Sequence, residues 1–105
     1  MVDYDYNKKA DILTVDLEDR QPEDYDRSIA IGDYTVDLDE AGSILGIEIL
    51  NATRNLPYTS KELQSIENAD LKQVRRSGAR TVIVEIEYSS NKGAFSLGYQ
   101  DSIEA

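Results

Sequence analysis

Two runs of alternating apolar and polar side chains flank a short glycine-containing connection in the middle of the chain. Tyr34, Val36 and Leu38 alternate with Thr35, Asp37 and Asp39; beyond Glu40-Ala41-Gly42-Ser43, Leu45, Ile47 and Ile49 alternate with Gly46 and Glu48. A period of two on both sides of a tight polar turn predicts a β-hairpin, with Leu45, Ile47 and Ile49 on one face. The same period recurs upstream. Val2, Tyr4 and Tyr6 alternate with Asp3 and Asp5, and after a turn at residues 7–11, Leu13, Val15 and Leu17 alternate with Thr14 and Asp16. Residues 18–26 read as a charged loop around Pro22. Ile29 and Ile31 resume strand character up to Gly32-Asp33, where a bulge or second turn is expected.

Past Leu50 the pattern changes. Residues 51–57 form a connector, and Thr59-Ser60-Lys61-Glu62 matches a capping box, the signature of a helix start. Leu63 with Ile66, and Leu71 with Val74, fit helical spacing, with Asn68 placed to cap a second short helix and Ser77-Gly78 to end it. On this reading Lys72, Arg75, Arg76 and Arg80 collect at a helix C-terminus, where the dipole favours cations. Val82, Val84, Ile86 and Tyr88 then alternate as a strand. Ser90-Asn91-Lys92-Gly93 turns the chain, and Phe95, Leu97 and Tyr99 return it. The expected fold is α+β in one domain over 1–105. It is an antiparallel, meander-type sheet of about six strands, with one or two short helices inserted between the fourth and fifth.

Composition narrows the chemistry. The chain has no cysteine and no histidine, which removes disulfides, thiolate chemistry, the usual neutral-pH general base and the commonest metal ligand. No apolar run approaches the ~20 residues that span a bilayer, and the first residues do not resemble a signal peptide. A soluble cytoplasmic protein is the expectation. Seven tyrosines stand against one phenylalanine and no tryptophan, which suits half-buried, contact-forming sheet surfaces.

The formal charge of −10 is placed unevenly. Residues 1–50 carry 14 acids and 4 bases, whereas residues 51–105 carry 7 of each. A negative N-terminal half repels nucleic acid and anionic membranes, so neither is an expected partner, and it favours basic proteins.

Tyr4-Asp5, Ala10-Asp11, Val36-Asp37-Leu38-Asp39, Gly42 and Gly46-Ile47-Glu48-Ile49-Leu50, followed by Ala52, resemble the signature of a small prokaryotic family, domain-of-unknown-function family 2283. The resemblance covers roughly residues 2–55. It departs at Thr14, where the family often carries an aromatic residue, and in the long loop at residues 18–26. It implies no assigned activity. Some members are encoded beside small basic proteins of toxin-like appearance, which implies an antitoxin-like or inhibitor role. Each motif residue also has a structural reading. Gly42 suits a turn with positive φ, Gly46 a close backbone approach or bulge, and Asp5 and Asp11 turn-capping carboxylates at strand ends. Glu48 points away from Ile47 and Ile49.

Candidate metal ligands are carboxylates only. From Asp37, the residues Asp37, Asp39, Gly42, Ser43, Ile44 and Glu48 fall at relative positions of an EF-hand loop, but Ala41 stands where a ligand is needed and the flanks are β-alternating. A looser site for Ca²⁺ or Mg²⁺ would draw Asp3, Asp5, Asp37 and Asp39 from adjacent strands. No catalytic constellation or phosphate loop is present, and no cofactor is implied. The leading expectation is a non-catalytic interaction module that binds a basic protein, or a second copy of itself as a homodimer, through an edge strand or a Tyr-bearing face. The alternatives are a nucleic-acid mimic using the acidic half, which would occupy a basic groove on a host protein, and a divalent-cation-binding protein.

Overall fold

The structure, a computed structural model, describes residues 2–76 and 79–100. Eight strands form two antiparallel sheets. β1 (Val2–Asn7), β2 (Ile12–Leu17), β3 (Arg27–Ile31), β4 (Tyr34–Leu38) and β5 (Ile44–Ile49) make the first, in the order β1-β2-β5-β4-β3. Two short helices follow, α1 (Ala52–Asn55) and α2 (Ser60–Gln64). β6 (Ile66–Arg76), β7 (Ala79–Tyr88) and β8 (Asn91–Tyr99) make the second sheet.

The central hairpin forms as its alternation predicts. β4 and β5 pair antiparallel, Gly42 takes a positive φ of 80° in the turn, and Asp39 closes that turn by accepting the Ser43 amide on Oδ1 at 2.8 Å. One detail differs from the expected phase. Leu38 pairs with Ile44 and Asp37 with Gly46, so Leu45 is the extra residue of a bulge. The bulge shifts the side-chain phase by one position. Ile44, Ile47 and Ile49 therefore enter the core, whereas Leu45, also buried, lies outside the core cluster.

The larger correction concerns residues 66–76. They form an eleven-residue strand, not the second half of a helical insertion, and the described residues make eight strands in two sheets, with the helices after the fifth strand, rather than one meander of about six with helices between the fourth and fifth. The capping box is real: Thr59 accepts the Glu62 amide and Glu62 accepts the Thr59 amide. It starts a helix of only five residues. Past it, Ala69, Leu71 and Gln73 face inward opposite Ile86, Val84 and Val82 of β7. Pairing with that strongly alternating strand outweighs the weak helical spacing of Leu63, Ile66, Leu71 and Val74. Asn68 consequently lies inside β6 and caps no helix, and Ser77-Gly78 lies outside the described residues.

One apolar core joins the two sheets. Leu13, Val15, Val36, Leu38, Ile47 and Ile49 from the first meet Leu71, Val82, Val84 and Ile86 from the second, with Leu56 and Leu63 of the helical connection between them. β6 is the seam, lying against β1, β2 and β5. Each fully buried branched side chain here contributes roughly 1.5–3 kcal/mol. Tyr58 fills one end of the core, edge-on to Tyr88 (5.4 Å between centroids) and Phe95 (6.5 Å). Gly93 pairs with Ile86 in the return strand and not in the turn expected for it, at a point where a Cβ would collide with the Tyr58 ring.

The face of the first sheet that the core does not use

Strand alternation leaves the outer face of the first sheet to polar residues. Register places them in two cross-strand rows. One runs Asp3, Asp16, Gly46, Asp37, Ser28, and the next Asp5, Thr14, Glu48, Thr35, Ala30. Asp3, Asp5, Asp16, Asp37 and Glu48 thus share one surface.

Arg20, just beyond the end of β2, reaches back across the middle of this face. Its guanidinium spans two strands, donating to Asp16 Oδ1 at 2.8 Å and meeting Asp37 Oδ2 at 3.0 Å. Gly46 lies between those two aspartates in the row. A Cβ there would run into the Asp16 carboxylate and press on the Val15 carbonyl. Asp37 also accepts from Ser28 Oγ at 2.7 Å, and Ser28 Oγ lies 2.7 Å from the Tyr25 hydroxyl. Burial pushes the Asp16 carboxyl above its usual range; Arg20 pulls it back, and Asp37 and Asp3 add to the upward push. Neither Asp16 nor Arg20 is among the candidates that the sequence pattern singles out. The signal available was a wet strand position, Asp16, four residues before the lone base of an acidic loop.

The remaining candidates separate by role. Asp3 and Asp37 share a row, but β1 and β4 are not neighbours; β2 and β5 stand between them, which puts the two backbones about 14 Å apart. Asp39 is engaged in its turn. The four-aspartate cation site therefore does not assemble, and among the described residues no group of three or more acidic side chains is placed to hold a metal ion. Asp5 is inside β1, not at its end. The turn-capping role at that hairpin belongs to Asn7, whose Oδ1 accepts the Ala10 amide.

Asp11 and Asp33 work at the opposite end of the strands, around α1. Asp11, with φ of 58°, accepts the Thr53 amide and hydroxyl (2.6 Å) and the Tyr6 hydroxyl (2.6 Å), while its carbonyl accepts the Ala52 amide. Asp33 follows Gly32 (φ 57°) in the turn between β3 and β4 and accepts from Asn51, Arg54 and Asn55. Those donors hold both carboxyls below the usual aspartate range: Thr53 and then Tyr6 for Asp11, Asn55 and then Arg54 for Asp33. The alanine-aspartate and Ala52 motif positions are thus a lock between a hairpin turn and the helix that follows the sheet.

The basic cluster is not helix-terminal. Lys72, on the outer face of β6, meets Glu85 of β7 at 2.7 Å, which raises its pKa, and Arg75 reaches the Ala41 carbonyl and Ser43 Oγ of the β4–β5 turn. Gln73 bridges the same turn and the second sheet, donating to the Gly42 carbonyl at 3.0 Å and to the Tyr99 hydroxyl at 2.6 Å. Arg80 stands opposite Arg75 in the register. These side chains belong to the hairpin arm that clamps the turn. A shallow open depression of about 390 Å³ lies at the other end of the second sheet, lined by Asn68, Asp70, Glu85, Glu87 and Lys92.

The lock at Asp11, the turn at Gly42 and the crowded Gly46 all fall within the first five strands and the start of α1. Residues 3–52 match the family described as "Protein of unknown function (DUF2283)". The DUF2283 segment therefore spans the first sheet and ends on Ala52, whose amide closes on Asp11. The searches of curated proteins and of solved structures give no match. The residues that carry the resemblance separate into those that build the fold (Asp11, Gly42, Gly46, Ile47) and exposed acids (Asp5, Glu48). No described helix is long and apolar enough to cross a membrane.

Proposed function

We propose that the protein is a non-catalytic interaction module whose outer first-sheet face receives a basic protein segment. What supports this reading is Arg20. The chain lays its own guanidinium across Asp16 and Asp37, so the face offers carboxylates at a spacing that a guanidinium fits. Asp3, Asp5 and Glu48 flank that centre as exposed acids. Paired positions on adjacent strands hold them in register on a rigid sheet, which lowers the ordering cost of binding. An inhibitor or antitoxin-like partner of a small basic protein sits within this class.

The test is titration of an arginine-rich peptide into the wild type and into D3N/D5N/E48Q, at several salt concentrations. At about 0.5 kcal/mol for each exposed charge, the triple variant should bind about tenfold more weakly, with a shallower salt dependence. Arg20→Ala should bind the peptide more tightly than wild type, because it frees Asp16 and Asp37 for the ligand. Equal affinity across the set would remove the proposal.

A further inference from the structure

Edge strands invite pairing with other chains, and natural sheets blunt them with charge, shortness or bulges. Three of the four edges here carry such devices. β1 alternates Asp3 and Asp5 along its length, β3 has five residues headed by Arg27, and β6 has a register shift near Glu67 together with Asp70, Lys72, Arg75 and Arg76. β8 has none of these beyond Lys92. It runs nine residues in unbroken register with β7, and from Gly93 to Tyr99 it has no charged side chain.

The hairpin that feeds β8 fixes which backbone groups look outward. Ser89 (φ 44°) and Ser90 (φ 66°) are the two central residues of a turn with both φ values positive, so Tyr88 and Asn91 form its hydrogen-bonded closing pair. Bonding to β7 then alternates through Gly93, Phe95, Leu97 and Tyr99. The amides and carbonyls of Lys92, Ala94, Ser96 and Gly98 face away from β7, and among the described residues no hydrogen bond reaches them. Their side chains are exposed, and three of the four are small.

We infer that β8 pairs antiparallel with β8 of a second copy about a two-fold axis at Phe95, joining the two three-stranded sheets into one. This deepens the interaction-module reading and rests on it, but uses a different surface. Chemistry favours a copy over a basic segment. The negative excess lies entirely in residues 1–50, and residues 51–105 balance, so a basic ligand is drawn to the first sheet while the neutral edge meets its like without repulsion. The register is also self-complementary. With Phe95 on the axis, outward-facing Ala94 lies opposite Ser96 of the copy and Lys92 opposite Gly98, so no like charges meet. On the other face Leu97 lies opposite Gly93, a large residue against a small one.

Sedimentation equilibrium of the full chain tests this, together with hydrogen exchange at low and high protein concentration. The wild type should approach twice the monomer mass, and the amides of residues 92, 94, 96 and 98 should gain protection with concentration while their odd-numbered neighbours do not. Ser96→Pro removes an outward donor without touching the β7 ladder and should be monomeric. A94K/S96K puts lysines opposite each other across the axis and should be monomeric with native circular dichroism. A94K/S96E sets opposite charges there and should remain dimeric. A monomeric wild type, or a dimer that survives both Ser96→Pro and A94K/S96K, overturns the inference. None of these variants alters the acidic face, so binding of the arginine-rich peptide reports separately on the proposed function.

Discussion

At the scale of single residues, the chain spends its aspartates in two ways. Asp11 and Asp33 accept several hydrogen bonds each and have depressed pKa values. A carboxyl whose folded pKa lies below its unfolded value of 3.8 adds stability that is complete above about pH 5 and is lost as pH falls through 3.8 and then the lower, folded value. Asp16 has the opposite sign: its raised pKa means that ionising it costs stability as pH rises through that value. Asp11→Asn should destabilise the protein by about 1–2 kcal/mol at neutral pH, since it weakens the cap on α1 and the partner of Tyr6. The loss should shrink as pH falls through 3.8 toward the lower, folded value, because the unfolded wild type then takes up a proton that the folded carboxylate does not. Urea unfolding at pH 7 and pH 3 measures both, and an equal loss at the two values would contradict the assignment. The sequence marked Asp11 as a turn residue but not its partner, because Thr53 is 42 positions away and no local spacing encodes that contact.

At the scale of elements, legibility followed the length and regularity of the alternation. The hairpin of β4 and β5 and the strand β7 are readable because Val36, Leu38, Ile47, Ile49, Val82, Val84 and Ile86 make regular aliphatic inward rows, with Tyr34 and Tyr88 at their ends. β6 was not, because its inward row includes Gln73, whose amide is satisfied by Gly42 and Tyr99 across the fold, and because a register shift breaks its phase near Glu67. The bulge at Leu45 hid the true core face of β5 in the same way: an apolar residue stood on both sides of the slip. The turn expected at residues 90–93 lies two residues beyond the observed β7–β8 turn, because Gly93 is the stronger turn signal than Ser89-Ser90. Two serines with positive φ are a strained choice for this turn, where Asn-Gly is favoured. S89N/S90G should therefore stabilise the protein by about 1 kcal/mol, or about 5 °C in melting temperature for a chain of this size. An unchanged or lowered midpoint in a thermal melt would count against the turn geometry.

At the scale of the whole molecule, one core separates two outward surfaces of different character. The first sheet presents carboxylates, with Arg20 laid across their centre; the second presents a neutral edge. The charge asymmetry of the two halves was plain in the sequence, and so were Asp3, Asp5, Asp37 and Glu48 as wet positions. Their order across that face was not, because β1-β2-β5-β4-β3 sets β2 and β5 between β1 and β4, and that order depends on pairings far apart in the chain. The most direct test is an NMR titration of the ¹⁵N-labelled protein with the arginine-rich peptide. The account predicts shifts concentrated at Asp3, Asp5, Thr14, Asp16, Arg20, Thr35, Asp37 and Glu48, with β7 and β8 unmoved. Shifts centred on the depression at Asp70 and Glu87, or spread evenly over the acidic residues of the chain, would contradict it.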